Sequence, residues 1–541
     1  MTQPAQAPKS FMQKFLDGVE IVGNKVPHPV IIFLILIGIV IALSHAMHLA
    51  GVHHTHEVVV TDVAKGDATY KYDGGTADEY KLQIVDETKA KVEKKTTAVR
   101  SLLTTEGIRF IYSALVPNFM AFTAVGLMIV AMIGAGVAEE SGLVNALIRK
   151  LVLVSPAWAL SYLMAFGGIV SSLAADAGYL VLIPLTGVAF MSVGRHPIAG
   201  LALGFAAVGG AFTVNMLIKP LDAVLVEFTN DAIHLVDPTK SIGLTSNLWF
   251  SIASVVVLTF LIAFITERVV EPRLGKYNPK DGDSEAPPQG GPLSKEESRG
   301  LLYSFIGLIG VLVLFGFLTI PAGAPLRNPD TGDLIGNSPF MNGLIGLIMV
   351  LFLVTGAAYG LGAGTMKNMT DIVKAIEKSI TKMGGTIFLF FILSQFVAYF
   401  TYTNIGTIMA LKLAGMLQAA GLPALLLLLG FIVVVALIDL LITGAIAKWA
   451  IFAPIFVPLL MTLGVAPEAT LAAYRIADSP VNAITPLNAY FALVVTFAQS
   501  YDKKSGVGTV VSLMLPYVIW LFIVWTALFV IWQIAGLPWG L

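Results

Sequence analysis

The chain has 541 residues, of which 56% are hydrophobic and only 12% are charged, and its net charge at pH 7 is −1. Soluble domains carry about 45–50% apolar and about 25% charged residues, so this composition excludes a soluble enzyme and a disordered chain. The nearly neutral charge excludes a nucleic-acid binder, and the absence of cysteine excludes disulfides and cysteine metal sites. We expect an all-α polytopic membrane protein, because long apolar runs are typical of helices rather than barrel strands.

Nine apolar segments are long enough to cross a bilayer, for which a helix needs about 20 residues. In chain order they lie at about 29–49, 117–138, 197–228, 248–267, 301–320, 341–361, 383–411, 467–499 and 513–537. Lysine and arginine are concentrated in the segments on the same side as the N-terminus, which predicts that this terminus is cytoplasmic. We therefore expect a cytoplasmic segment 1–28, an outer loop at about 50–105, membrane halves at 29–270 and 301–541, and a cytoplasmic linker at 271–300.

Two further apolar segments, about 157–193 and 423–463, have polar centres and short arms. The first has Asp176 at its centre, and the second has Asp439 and Lys448. Arms of about 14–15 residues reach roughly 21 Å, which is too short to cross, and a polar centre cannot face lipid. We predict two re-entrant hairpins whose tips are buried in protein. The alternative for each segment is one long, kinked helix.

A short motif follows each of these segments. The two copies read Val214-Asn215-Met216-Leu217-Ile218-Lys219-Pro220-Leu221-Asp222-Ala223 and Val481-Asn482-Ala483-Ile484-Thr485-Pro486-Leu487-Asn488-Ala489. The hairpin tips correspond in the same way, with Asp176 matching Thr443. Five predicted crossings separate the copies, so they run in opposite directions, as in the inverted repeats of alternating-access transporters. Pro220 and Pro486 break their helices and free backbone carbonyls that can bind a cation or a substrate.

Several charged residues fall inside apolar segments, mostly at hairpin tips or helix breaks: Asp176, Lys219, Asp222, Asp439, Lys448, Arg475 and Asp478. A charge at bilayer depth costs at least about 2.5–3.5 kcal/mol, so we expect these groups to face a polar cavity. Arg475 either pairs locally with Asp478 or binds a substrate carboxylate in a bidentate fork. Asp176 either carries a proton or completes a sodium site. Trp449 either packs or stacks on an aromatic substrate, and Lys448 either snorkels or complements an anion.

Three stretches resemble the AbgT family of p-aminobenzoyl-glutamate transporters, and the resemblance covers nearly the whole chain. They are Ser171-Ser172-Leu173-Ala174-Ala175-Asp176-Ala177-Gly178-Tyr179, Ala447-Lys448-Trp449-Ala450-Ile451-Phe452-Ala453-Pro454-Ile455-Phe456-Val457-Pro458 and Tyr474-Arg475-Ile476-Ala477-Asp478-Ser479. The resemblance implies nine spans, two opposed hairpins, a homodimer and uptake of p-aminobenzoyl-glutamate, with proton-driven export of sulfonamide antimetabolites in some members. The functional positions that it implies are Asp176, Trp449, Pro467, Arg475, Asp478 and Pro486. Ile446 departs from the family, which often has a small hydroxyl residue there, and this weakens the case for a contact from that position.

The sequence thus predicts a secondary active transporter, not an enzyme, that moves p-aminobenzoyl-glutamate or a related aromatic carboxylate by cation-coupled alternating access. Proton-driven efflux of sulfonamide antimetabolites is the alternative of the same class, and a channel or an intramembrane enzyme are those of other classes. The expected substrate-binding residues are Arg475, Trp449, Lys448, Asn482, Asn215 and Pro486, and the expected ion-coupling residues are Asp176, Asp478, Ser172, Thr443 and Asp222. We expect Na⁺ or H⁺ as the coupling ion, no cofactor, a small anionic substrate, the bacterial inner membrane bilayer, a homodimer and no nucleic acid.

Overall fold

The computed structural model describes residues 29–61, 90–172, 178–277, 293–335, 338–409, 412, 416, 423–440, 442, 444–488 and 490–541. Nearly all regular structure within them is helical. The exception is one antiparallel pair of strands, β1 (His53–Thr61) and β2 (Ala90–Ala98), in which His53 lies opposite Ala98. This pair lies in the predicted outer loop and adds a small sheet to a fold that the sequence predicts as all-α.

The helices divide between the two predicted halves. The first half contains α1 (Pro29–Leu49), α2 (Thr105–Ser113), α3 (Leu115–Met120), α4 (Ala124–Glu140), α5 (Leu143–Val154), α6 (Leu160–Ser171), α7 (Ile183–Ser192), α8 (Pro197–Val208), α9 (Pro220–Ile233) and α10 (Leu248–Leu274). The second contains α11 (Lys295–Thr319), α12 (Pro339–Asn342), α13 (Leu344–Ala363), α14 (Met369–Lys382), α15 (Gly384–Thr403), α16 (Ala424–Asp439), α17 (Ala445–Thr462), α18 (Pro467–Asp478), α19 (Phe491–Tyr501) and α20 (Val507–Ile534).

Seven of the described helices are long and apolar enough to cross a membrane, and an eighth candidate is the pair α4–α5, which is bent by 62°. The seven are α1, α10, α11, α13, α15, α17 and α20. Six of them coincide with predicted spans, whereas α17 lies where the sequence predicts a short hairpin arm. The predicted spans at 197–228 and 467–499 are each divided into two short helices.

Both predicted hairpin segments are built from separate helices that contact a common neighbour. A 3₁₀ turn at Ala157–Ala159 leads into α6, and a π turn at Gly178–Leu182 leads into α7. Each of these arms is too short to count as a span, and α6 and α7 both pack against α8. In the second half α16 and α17 both pack against α18 in the same way. The two halves therefore share one packing arrangement.

The core surrounds the first helix of each broken pair. Every residue of α8 is buried, as is every residue of α18 from Ala469 to Asp478. Close packing requires glycine at two positions of α8, because a Cβ at Gly200 would lie 2.4 Å from the Thr186 carbonyl oxygen and one at Gly204 would lie 2.6 Å from its hydroxyl oxygen. By contrast, only 11% of the residues in the most apolar stretch of α11 are buried. The short helices α8 and α18 are thus inside the molecule, whereas α11 is at its surface.

Helical structure extends into both ends of the predicted linker at 271–300. At the first end α10 continues to Leu274, and at the other end α11 begins at Lys295. The start of α11 is a capping box, in which the Ser294 hydroxyl accepts from the Glu297 N–H at 3.0 Å and the Glu297 carboxylate accepts from the Ser294 N–H at 2.8 Å. The Ser-x-x-Glu spacing is a sequence signal for this boundary.

Candidate functional site

The first helix break comprises residues 209–219, between α8 and α9. Proline fits the first position of α9 because its missing N–H would have no helical partner there. Asp222 lies in the first turn, where a carboxylate is favoured by the positive end of the helix dipole. Its Oδ2 accepts from the backbone N–H of Lys219 at 2.9 Å, which fixes the entry into the helix.

The second helix break comprises residues 479–490, between α18 and α19. A 3₁₀ turn at Pro480–Ala483 replaces the α-helix there. Side-chain amides satisfy the carbonyls that this change of geometry leaves without helical partners. Asn482 Nδ2 donates to the Asp478 carbonyl at 2.8 Å, and Asn488 Nδ2 donates to the Asn482 carbonyl at 2.8 Å. The motif asparagine Asn482 therefore supports the turn itself.

The two breaks meet at Thr213 and Ser479. The Thr213 N–H donates to Ser479 Oγ at 3.1 Å, the two hydroxyls are in contact, and Thr213 Oγ1 donates to the Arg475 carbonyl at 2.9 Å. Each hydroxyl residue stands at the same spacing before the proline of its motif, Pro220 or Pro486. These contacts join the first break to the second, and we call this place the junction of the halves.

Arg475 crosses this junction. Its Nη1 lies 2.6 Å from Asp222 Oδ1 and 2.6 Å from the Thr213 carbonyl oxygen, and the side chain is 3% exposed. The local pair with Asp478, which the sequence left open, is not the arrangement that forms, because the nearest carboxylate partner comes from the other half. Within the described part of the chain, the buried Nε of Arg475 has no hydrogen-bond partner.

Lys219 lies beside the same stretch of backbone. Its Nζ donates to the Phe212 carbonyl and, at 3.2 Å, to Ser172 Oγ. Lys219 and Arg475 therefore hold the adjacent carbonyls of residues 212 and 213, just beyond the negative end of α8. Asn215 anchors the break to the end of α6, because its Nδ2 donates to the Val170 carbonyl and to Ser172 Oγ, both at 3.1 Å.

Asp439, Lys448 and Asp478 form a second charged group, which we call the Asp–Lys–Asp cluster. All three side chains are fully buried. Lys448 Nζ contacts Asp439 and lies 2.6 Å from Asp478 Oδ1, which also accepts from the Tyr474 hydroxyl at 3.2 Å. With both carboxyls ionised the cluster has a net charge of −1, and an uncompensated charge away from water is costly. The cluster therefore has the charge to hold a proton or a monovalent cation.

A cavity of about 190 Å³ opens against the first break. It is lined by α4, α9, residues at both ends of the first break and the start of α17, and its polar lining includes Ser172, Lys219 and Glu139. Met128, Met132 and Phe212 contribute apolar walls.

Comparison with known proteins decides the family. The sequence model of the AbgT transporter family matches residues 14–541. The chain belongs to the AbgT family. The p-aminobenzoyl-glutamate transport protein of Escherichia coli (strain K12) is 31% identical over 527 residues, which cover 97% of this chain and 96% of that protein. The predicted family membership and transporter class are thus confirmed.

Two solved AbgT-type structures share the fold. The YdaH transporter of Alcanivorax borkumensis is 38% identical, with a TM-score of 0.84 over 95% of this chain and 100% of that one. MtrF of Neisseria gonorrhoeae, described as illuminating a class of antimetabolite efflux pumps, is 37% identical, with a TM-score of 0.83 over 96% of this chain and 97% of that one. The transporter architecture therefore rests on structure as well as sequence.

The remaining predicted site residues of this AbgT protein lie in different surroundings. Trp449 is fully buried, its Nε1 donates to the Leu225 carbonyl and to Thr229 Oγ1, both at 3.0 Å, and its ring stacks on Tyr474 at 4.5 Å. Packing therefore describes Trp449 in this structure, and substrate stacking stays a prediction. Pro486 lies in the turn of the second break. The predicted residues Asp176 and Thr443 lie outside the described residues.

Sequence analysis assigned no role to four polar residues of the site. Asp439 and Lys219 stood out there only as charges in apolar segments. Thr213 and Ser479 carry no local signal, because a hydroxyl among small residues is common in membrane helices. Their equal spacing before Pro220 and Pro486 is the one pattern that could have paired them. At the cavity wall, Ile446 contributes an apolar side chain.

Proposed function

We propose that this AbgT transporter moves p-aminobenzoyl-glutamate or a related aromatic carboxylate by cation-coupled alternating access. The observation that carries the proposal is the meeting of two broken helices from opposite halves at a buried, charged junction. Unwound backbone and half-helix ends are where secondary transporters bind their substrates and ions. The E. coli relative, whose printed description is p-aminobenzoyl-glutamate transport protein, supports the substrate.

Many alternating-access transporters are built from two related halves, and similar contacts in the two halves support an inverted repeat here. In the first half Lys219 Nζ reaches Ser172, which is the C-cap residue of α6. In the second half Thr485 Oγ1 donates at 3.2 Å to the carbonyl of Leu440, which is the C-cap residue of α16. We propose nine crossings, two opposed re-entrant hairpins at about 157–193 and 423–463, a cytoplasmic N-terminus and a homodimer in the bacterial inner membrane.

The coupling ion is assigned to the Asp–Lys–Asp cluster together with the predicted residues Asp176, Thr443, Ser172 and Asp222. Oδ1 of Asp439 contacts the Lys448 ammonium, whereas the buried Oδ2 oxygens of Asp439 and Asp478 have no hydrogen-bond partner among the described residues. Acceptor oxygens without donors suit a proton or a hard cation such as Na⁺. Binding of either would neutralise the cluster and could bias the junction toward one conformation.

The substrate carboxylates are assigned to the cations at the junction. Arg475 uses Nη1 for Asp222 and Thr213, but its Nε edge is without a protein partner in the described chain. A guanidinium edge of this kind binds a carboxylate through directed hydrogen bonds. Lys448, Asn215, Asn482 and Pro486, the other predicted substrate residues, would shape the surroundings.

Reconstitution in proteoliposomes tests the proposal. Labelled p-aminobenzoyl-glutamate should accumulate under an imposed Na⁺ or H⁺ gradient, and unlabelled substrate on the opposite side should accelerate exchange. A channel would show no such trans-stimulation, and an enzyme would alter the label chemically. Equal uptake with and without both gradients would refute cation coupling.

Proton-driven efflux of sulfonamide antimetabolites is the second candidate function. The observation in its favour is the 37% identity to MtrF, whose description concerns antimetabolite efflux pumps. Proteoliposomes that start with equal sulfonamide concentrations on both sides should then expel a labelled sulfonamide when a proton gradient is imposed. The ratio of sulfonamide to p-aminobenzoyl-glutamate transport, measured in the same vesicles, decides between the two.

A further inference from the structure

The three buried cations near the junction differ in their partners. Arg475 pairs with Asp222, and Lys448 pairs with both Asp439 and Asp478. For Lys219, no carboxylate oxygen of the described chain lies within ion-pair distance of Nζ; it donates instead to a hydroxyl and a carbonyl. An ammonium has three protons to donate. Lys219 is therefore the cation of the three that has no ion-pair partner among the described side chains.

Lys219 is also the cation that the cavity reaches. It lines the 190 Å³ space, whereas Arg475 and Lys448 do not. The other charged residue in the lining is Glu139, which lies 3.4 Å from Lys382 on α14. An anion entering this cavity would thus meet Lys219 before it could meet the cations deeper in the junction.

An aromatic surface adjoins this ammonium group. Lys219 Nζ lies 5.1 Å from the centre of the Phe212 ring, and Phe212 lines the same cavity. Met128 and Met132 on α4 also line the cavity, and thioether sulfurs contact aromatic rings favourably. A cavity with a cation beside an aromatic ring and soft apolar walls matches a ligand with a carboxylate near an aryl group.

We propose that Lys219 binds a carboxylate of the substrate in this cavity and that Phe212 contacts the aryl ring beside it. The inference rests on the proposed function and adds an anchor that the sequence did not assign. Burial of an ammonium without a counterion is costly, so an anionic ligand would recover much of that cost on binding. The cavity is smaller than the roughly 300–1,000 Å³ that enclose drug-sized ligands, so it would hold one end of the substrate in this conformation.

A comparison of two ligands against two variants tests the assignment. The ligands are p-aminobenzoyl-glutamate and its uncharged diamide, and their affinities are measured by calorimetry on the purified full-length transporter. The wild type should prefer the dicarboxylate. Lys219→Gln should reduce that preference about 10- to 100-fold, because one charge-assisted interaction is lost, while affinity for the diamide stays the same.

Lys219→Met is the second variant, because it keeps the volume of the side chain and suits an apolar site if glutamine prevents folding. A variant that binds the diamide as tightly as the wild type does has folded. The ligand preference is then compared between that variant and the wild type. The matched control is Lys240→Gln, since Lys240 is exposed and pairs only locally with Asp237 at 3.3 Å; it should keep the wild-type preference.

The outcomes separate the two proposals. A wild type that binds neither ligand overturns the proposed substrate, and with it the role of Lys219. A wild type that prefers the dicarboxylate while a folded Lys219 variant prefers it equally overturns the Lys219 assignment alone. Loss of the preference in a folded variant, with the control unchanged, supports the assignment.

Discussion

The first and second breaks share a backbone plan but differ in where their charges lie. In the first break Lys219 and Asp222 belong to the motif itself, whereas the second motif has Thr485 and Asn488 at the matching positions. The charges of the second half lie instead on the flanking helices, chiefly in the Asp–Lys–Asp cluster. Among the described residues, one break thus presents a cation without an ion-pair partner, and the other adjoins an excess of carboxylate.

This difference bears on the proposed transport of two unlike solutes. If the breaks are related by a repeat, as proposed, their unwound backbones alone would treat an anion and a cation alike. We propose that Lys219 favours an anionic substrate at the first break and that the Asp–Lys–Asp cluster beside the second contributes to binding of the coupling cation. Arg475 connects the two, because it belongs to the second half and pairs with Asp222 of the first.

Removal of one carboxylate from the Asp–Lys–Asp cluster should have the largest effect. Asp439→Asn leaves Lys448 balanced by Asp478 alone, so the cluster no longer needs a proton or cation. We expect accumulation under an ion gradient to be abolished, while exchange of substrate without a gradient continues. Proteoliposome uptake and counterflow measure the two. Asp330→Asn, in an exposed loop, is the control, and gradient-driven accumulation by Asp439→Asn would contradict the assignment.

The corresponding test in the first half is Asp176→Asn. If Asp176 couples transport as predicted, this variant should also lose accumulation while it is expressed normally. Uptake at the wild-type rate under a gradient would remove Asp176 from the coupling site and leave the cluster of the second half as the coupling element.

Separation of the halves should have the next largest effect. Arg475→Ala leaves the buried Asp222 carboxylate without its cation, which should lower the free energy of unfolding by about 3–5 kcal/mol. The double variant Arg475→Ala/Asp222→Ala should lose less than the sum of the single losses. Thermal or denaturant unfolding of all four proteins gives the interaction energy, and additive losses would show that the pair does not couple the halves.

A smaller effect is expected at the contact of Thr213 with Ser479. Thr213→Val keeps the shape of the side chain but removes the hydrogen bonds of its hydroxyl to Arg475 and Ser479. The expected loss is about 1–3 kcal/mol, since buried partners are left unsatisfied. Thr331→Val in an exposed loop is the control for the substitution itself. A Thr213 variant as stable as the wild type would place the contact of the halves elsewhere.

The sequence predicted the helices and their breaks because those signals are local. Hydropathy located the long spans, and Pro220 and Pro486 located the interrupted ones, since proline is disfavoured in a helix interior but tolerated in a first turn or in a loop. The repeated Val-Asn motif placed both breaks in equivalent positions. Family membership followed from the same stretches.

The partners of the charged residues could not be predicted, because they depend on packing between distant segments. The spacing of Arg475 and Asp478 favoured a local pair, yet Asp222 is presented to Arg475 by the first turn of α9, in the other half. Trp449 was a candidate for stacking on substrate, but Thr229 and Tyr474 occupy its N–H and one ring face. Periodicity along one helix does not indicate which residues of a distant segment contact it.

The helices that precede the two breaks, α8 and α18, begin differently, and this should make the free energy of unfolding depend on pH through the start of α8. This is the smallest of the expected effects. His196 caps α8, with Nδ1 accepting from the Ile198 N–H at 3.3 Å, whereas Ala466 at the start of α18 provides no side-chain cap. Burial lowers the pKa of His196 below its ordinary 6.5, and the negative charges of Glu271 and Asp502 offset part of this decrease.

The unfolded chain therefore binds this proton more readily than the folded one, and the free energy of unfolding should decrease as the pH falls below about 6.5. His196→Asn keeps a capping side chain and should remove this part of the pH dependence, so its melting temperature should fall less than that of the wild type between pH 7.5 and 5.5. His196→Ala makes the first half resemble the second and should also cost about 0.5–2 kcal/mol at pH 7.5 through loss of the cap. Parallel melting curves for the wild type and His196→Asn would mean that His196 does not distinguish the two helix starts, because its proton would then be bound equally in the folded and unfolded states.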